Sequence, residues 1–133
     1  MKKIVFVCLL VSSFLFALGS LAQETGRGKE KHKAERITSG PVVKEATRDS
    51  AEISWSTDAP GSSVVKYGTN QNALDRTAEK PWGGTKESNG DYNHTVWVKN
   101  LKPNTTYYYK VETGQGLGTG TEADSRTGEF RTR

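Results

Sequence analysis

From Ile37 to Arg133 the chain consists of short runs in which apolar and polar residues alternate, each ending in a cluster of turn formers. Period-two alternation places successive side chains on opposite faces of an extended backbone, which suits half-buried strands and not amphipathic helices. The clearest runs are AEISWST (Ala51, Ile53, Trp55), SSVVKYGT (Val65, Tyr67), HTVWVKNL (Val96, Val98) and TTYYYKVE (Tyr107, Tyr109, Val111). Val42 and Val43 mark a first strand, and Phe130 a last one. Between the runs lie DAPGSS, GTNQN, KPWGGTKESNGD, NLKPN and TGQGLGTGTEADSRTG, rich in residues that turns require. No window carries a sustained apolar stripe at helical spacing, and no segment repeats as a solenoid or propeller would. About seven strands in these 97 residues, each with one inward face, predict an all-β, two-sheet sandwich with Greek-key connections.

The amino-terminal segment obeys a different rule. Lys2 and Lys3 precede an uncharged apolar stretch, Ile4 to Leu18, and Ser20 and Ala22 then place small residues before Gln23. This is the pattern of a signal peptide over residues 1–22, cut between Ala22 and Gln23, and it predicts a secreted or periplasmic chain with no membrane span after cleavage. The competing reading is an uncleaved anchor, because Ile4 to Ala22 nearly spans a hydrocarbon core of about 30 Å. Cys8, the sole cysteine, lies inside this stretch as a small hydrophobe, so the exported domain is expected to fold without a disulfide.

Residues 23–36 (QETGRGKEKHKAER) contain one apolar residue, Ala34, and cannot bury enough surface to offset their ordering entropy. They are predicted to be a charged, disordered linker to a domain over 37–133. Its bases, Arg27, Lys29, Lys31, Lys33 and Arg36, suit a spacer or a weak contact with an anionic surface, and an isolated His32 is not a metal site. Without Lys2 and Lys3 the chain carries 17 basic against 15 acidic residues. Dispersed charge of that size does not form the basic stripe needed for phosphate contacts, so nucleic-acid binding is excluded.

At LKPNTTYYYKV, the residues Leu101, Pro103, Thr105, Tyr107, Tyr109 and Val111 resemble the corner of fibronectin type III domains that leads into their sixth strand. Trp55 resembles the second-strand tryptophan of the same family. The resemblance covers essentially all of 37–133 and implies a seven-stranded immunoglobulin-like sandwich, with Trp55, Tyr67, Leu101, Pro103 and Tyr107 as its fold motif and the tyrosine hydroxyl bonded back to corner backbone. SSVVKYGT, together with His94 before TVWVKNLKPNTTYYYKV, is similar to the fibronectin-like amino-terminal domain that precedes the metallophosphatase domain of purple acid phosphatases. In that family the metals are held by a following domain, and no Asp-x-His or His-x-His pair stands in this chain. The resemblance therefore implies a fold and an accessory role.

The residues themselves point away from catalysis. Beyond the signal there is no Cys, and His94 is the one imidazole in the patterned region. His94 shares its alternation with Val96 and Val98, so it is expected at the core edge, bonded to backbone. The acid pairs Asp49 with Glu52 and Glu122 with Asp124 lie in or beside turns, where carboxylates meet water. The run of Gly114, Gly116, Gly118 and Gly120 is no phosphate loop, since no helix follows it. No catalytic, cofactor-binding or metal-ligating residue is assigned, and the protein is expected not to be an enzyme.

Aromatics on the outward alternation remain. If Val96 and Val98 point inward, Trp97 points out, and by the same rule Tyr108 does; Trp82 and Tyr92 stand in loops. Such side chains suit a protein partner or sugar rings, unless Trp82 merely folds over a sheet edge and Trp97 is covered by a loop. Trp97 and Tyr108 are expected on different sheets, which argues against one patch. Asn93 and Asn104 head glycosylation sequons. The expectation is a monomeric, noncatalytic binding or adhesion module whose partner is a protein or a cell-envelope polysaccharide; the alternatives are an accessory relative of the phosphatase domain acting beside a separate enzyme, and a carbohydrate-binding module.

Overall fold

A computed structural model describes residues 35–115 and 121–133. The predicted signal peptide, the linker up to Ala34, His32 and the three later glycines of the Gly114–Gly120 run lie outside the described residues. The expected runs form β1 (Ile37–Ala46), β2 (Ala51–Thr57), β3 (Ser63–Gly68), β6 (Tyr92–Val98), β7 (Thr106–Thr113) and β9 (Gly128–Arg131). Three more strands complete the described chain: β4 (Arg76–Lys80), β5 (Thr85–Lys86) and β8 (Ala123–Asp124). They left little trace in the sequence because β5 and β8 are two residues long and β4 is exposed at four of its five positions. A solvated edge strand has no buried face to impose alternation.

Two antiparallel sheets result. Sheet A has the order β1-β2-β6-β5, and sheet B runs β4-β3-β7 with β8 and β9 both paired to β7. Strand β1 is an edge strand, the position where Pro41 costs no ladder bond, and its register slips around Gly40 and Pro41. Gly40 has φ +82, and a Cβ there would stand 2.9 Å from the Ser54 carbonyl oxygen.

The inward faces bury Ala51, Ile53, Trp55, Val96 and Val98 from sheet A against Val65, Tyr67, Tyr107, Tyr109, Val111 and Phe130 from sheet B. Phe130 stacks on Tyr107 at 5.6 Å and meets Tyr109 at 5.9 Å between ring centroids. Leu101 closes this end of the core, Pro103 stands exposed in the turn, and the Tyr107 hydroxyl accepts the Lys102 N–H at 2.8 Å. The corner is therefore tied as the fibronectin resemblance implies. Asn100 and Asn104 make the bend with φ 58 and 52, in the left-handed region that asparagine tolerates better than most side chains.

The linker ends earlier than expected. Glu35 is 2% exposed, with its N–H donating to the Thr121 carbonyl, and Arg36 donates to Asp58 through both its backbone N–H and Nε. Only glycine at position 61 makes the seat possible, since a Cβ there would collide with the Glu35 carboxyl. Composition cannot reveal one acid in a charged run that finds a tailored pocket.

Candidate functional site

Strands β2 and β6 pair throughout their length, and the two faces of this pair have opposite chemistry. On the inner face His94, 1% exposed, stacks on Trp55 at 5.3 Å and 14°. Its partners are side chains rather than the backbone expected: Thr57 Oγ1 lies 2.7 Å from Nε2 and Ser63 Oγ 2.7 Å from Nδ1. Thr57 spends its single proton on the Ala59 carbonyl at 2.7 Å, so Nε2–H donates to Thr57. Burial pushes the His94 pKa below the usual 6.5 and so favours the neutral imidazole, in which Nδ1 accepts from Ser63. A hydroxyl facing an imidazole is also the geometry of an activated nucleophile. Here, however, Ser63 is 2% exposed, and the arrangement locks β2, β3 and β6 together.

Glu35 extends the same buried polar end. Its Oε1 accepts from Thr113 Oγ1 at 3.0 Å, while Oε2 has no partner. Burial raises its pKa above the usual 4.5, opposed by the hydrogen bond with Thr113 and reinforced by the nearby Asp58 charge. The protonated form, with a hydrogen of its own to give, suits that seat better than a half-paired carboxylate.

The loop between β4 and β5 is pressed onto this lock. Gly83 N–H donates to the Gly61 carbonyl, and a Cβ on Gly84 (φ +77) would stand 2.9 Å from His94 Cε1. Only glycine allows so close a pass at that φ. Held there, the loop projects Trp82, which is 59% exposed, beside a cleft of about 250 Å³ lined by Lys80, Thr85, Asn93 and Thr95, with His94 and Ser63 at its floor.

On the outer face of the pair the cross-strand neighbours are Ser56 with Asn93, Ser54 with Thr95 and Glu52 with Trp97. Small side chains leave a trough of about 290 Å³ beside β1, bordered by Val42, Lys44, Glu87 and Asp91. Its hydrogen bonds are long: Ser54 Oγ to Asn93 Oδ1 3.4 Å, Ser56 Oγ to Glu87 Oε2 3.4 Å, Thr95 Oγ1 to Ser54 Oγ 3.3 Å and Asn93 Nδ2 to the Trp55 carbonyl 3.5 Å. Bonds above about 3.2 Å are weak, so much of this polar capacity is unspent. Shorter ones, Asn93 Nδ2 to Ser54 Oγ at 3.1 Å and Thr95 Oγ1 to Asn93 Oδ1 at 3.0 Å, hold the side chains in place.

Of the aromatics marked in the sequence, the structure brings Trp82 and Trp97 to the side of Asn93 and Thr95 and separates the others. Trp97 is 36% exposed on β6. Tyr92 is not a loop aromatic: it is the first residue of β6, half-buried on the alternation it shares with His94, because β6 begins earlier than the turn residues suggested. Tyr108 is half-buried on β7, in sheet B, so it forms no patch with Trp97, as expected. Ser54, Ser56 and Thr95 went unmarked, and Asn93 was marked only as the head of a sequon, although their outward positions in ISWST and NHTVW were already legible. The acid pairs form no dyad: Asp49 holds Thr47 in a turn, Glu52 lies on β2, and Asp124 pairs with Lys110. Among the described residues no group of three His, Cys, Asp or Glu is placed to hold a metal.

Comparison with known proteins agrees with this geometry. The family model for the purple acid phosphatase N-terminal domain matches residues 41–132. No curated protein sequence matches significantly. Among solved structures, the chain is similar to the sensor domain of the anti-sigma factor RsgI4 of Pseudobacteroides cellulosolvens, with TM-score 0.50 and 24% identity over 74% of this chain and 88% of that one. It is also similar to the fibronectin type-III domain of human fibronectin type III domain containing protein 3, with TM-score 0.50 and 22% identity over 79% of this chain and 92% of that one. The tied corner, the buried strand tryptophan and the sheet order thus meet in one assignment: the chain belongs to the purple acid phosphatase N-terminal domain family, built on a fibronectin type III sandwich.

Proposed function

We propose that the protein is an exported, noncatalytic binding module whose contact surface is the 81–84 loop together with the outward side of β6. The observation that carries this reading is Trp82, 59% exposed and held by two fixed glycines beside a polar cleft. Exposing a large aromatic ring on a constrained loop has no folding benefit, whereas a rigid aromatic is a favoured anchor at binding surfaces. The test is retention of the exported chain on envelope material and on concentrated secreted proteins, compared with Trp82→Ala. Retention lost in the variant, with thermal stability unchanged, supports the proposal; equal retention of the two proteins counts against it.

Family membership favours a second reading, in which the domain works beside a separately encoded metallophosphatase. Recovery of such an enzyme as the dominant partner in a pull-down from the exported fraction supports it, and its absence there counts against it. Phosphatase activity of the pure, metal-supplemented protein that is abolished by chelation yet survives His94→Ala would contradict the noncatalytic assignment.

A further inference from the structure

We infer that the outward face of sheet A binds a neutral saccharide chain, laid along β6 with Trp82 and Trp97 as its aromatic stations. This rests on the binding-module reading above and names the ligand class. The cleft beside Trp82 and the trough beside β1, about 250 and 290 Å³, both border Asn93 on β6. From Asn93 to Trp97 the strand advances ~13 Å at the usual rise, the length of a short run of sugar rings.

The inventory of groups decides the class. Ser54, Ser56 and Thr95 offer hydroxyls that both donate and accept, and Asn93 offers an amide with both functions; their bonds to one another, to Glu87 and to the Trp55 carbonyl include four of 3.3 to 3.5 Å that are open to exchange. A sugar ring presents the complement, hydroxyls around an apolar C–H face that lies flat on an indole. Lys44 at the trough and Lys80 at the cleft are matched by Glu87 and Asp91, so the surface carries no excess of positive charge to hold phosphate or a polyanion. A protein hot spot would need a desolvated apolar pocket, and the floor here is hydroxyl and amide.

The experiment is native electrophoresis of the full exported chain through gels holding one soluble polysaccharide each: a neutral mixed-linkage β-glucan, a xylan, a mannan, and anionic polygalacturonate. The expected result is retardation by at least one neutral polymer. Trp97→Ala and Ser56→Val, the second filling the trough with an extra methyl, each weaken it at least tenfold, while Lys110→Gln on the opposite sheet changes nothing. Because Ser56→Val alters a buried position, Trp97→Ala and the melting temperatures of all variants separate lost binding from lost folding. No retardation by any neutral polymer, retardation by polygalacturonate alone, or undiminished retardation of Trp97→Ala overturns the inference. If Trp82-dependent retention on envelope material or secreted protein persists while every neutral gel fails, the saccharide class alone falls; if both fail, the binding-module reading falls with it.

Discussion

The two outward faces of the sandwich obey the same alternation yet meet water in different ways. Sheet B covers itself with charge: Lys66 pairs with Glu112 at 3.5 Å, Glu112 with Lys110 at 3.1 Å, and Lys110 with Asp124 at 3.3 Å. Lys66 and Lys110 stand directly opposite each other on β3 and β7, and Glu112 relieves their repulsion. The hydrogen bond that Lys110 donates to Glu112, with help from Asp124, raises the Lys110 pKa against a smaller desolvation effect. Long ionic side chains thus lie paired across the middle of this sheet. Sheet A instead presents serines, a threonine, an asparagine and a tryptophan, short enough in the middle to leave a trough. The same alternation thus gives one outer face closed over by ion pairs and another that keeps short polar side chains with long hydrogen bonds. The His94 lock uses bonds of 2.7 Å, and the trough above it bonds of up to 3.5 Å.

The largest expected effect tests whether β6 carries stability on its inner side alone. His94→Ala removes a fully buried ring and leaves the Ser63 and Thr57 hydroxyls without their partner, so it should destabilise by about 3 kcal/mol. A urea titration with unchanged slope reads this directly, and the outer-face variant Trp97→Ala should shift the midpoint far less. A second change moves sheet B's solution onto sheet A. Ser54→Lys puts a cation into the trough and should weaken polysaccharide retardation at least tenfold, about 1.4 kcal/mol of binding, with the melting temperature read alongside because Ser54 is buried. Unaltered retardation would show that the trough is not the contact surface.

The buried polar end sharpens the comparison through pH. In the folded state His94 has a pKa below 6.5, so the unfolded chain takes up its proton first and stability falls as pH drops below about that value. Glu35 acts in the opposite sense: its folded pKa lies above 4.5, and stability falls as pH rises from there through the higher value. Glu35→Gln should therefore remove the alkaline loss and leave the acidic one, whereas His94→Ala should do the reverse, as followed by urea midpoints across pH. The smallest effect belongs to sheet B. Lys110 and its acids are partly exposed, so Lys110→Gln should cost no more than about 0.5 kcal/mol after solvent screening, and less in high salt.

The sheets were readable because burial on one side of a strand imposes a period on its sequence: Ile53 and Trp55, Val96 and Val98, Tyr107 and Tyr109 all lie where alternation puts them. Strands β4, β5 and β8 were not readable, since nothing buried disciplines their residues. Trp82 and Trp97 stood out as candidates for the same reason that Trp55 did not, namely loop position or wrong-side alternation. The trough lined by Ser54, Ser56 and Asn93 could not be read, because small polar residues on an outward face are ordinary until the neighbours that wall them in are known.

Local periodicity and turn chemistry settled the all-β class, while the resemblance to fibronectin type III domains implied the corner held by Tyr107 and the placing of outward aromatics on two sheets. Only the tertiary structure decided that His94 is bonded by Thr57 and Ser63, 37 and 31 residues away, that Glu35 belongs to the domain, and that Trp82 reaches the cleft beside Asn93. Alternation says which side of a strand a residue faces; what it meets there depends on strands brought together from distant parts of the chain, and no local pattern encodes that meeting.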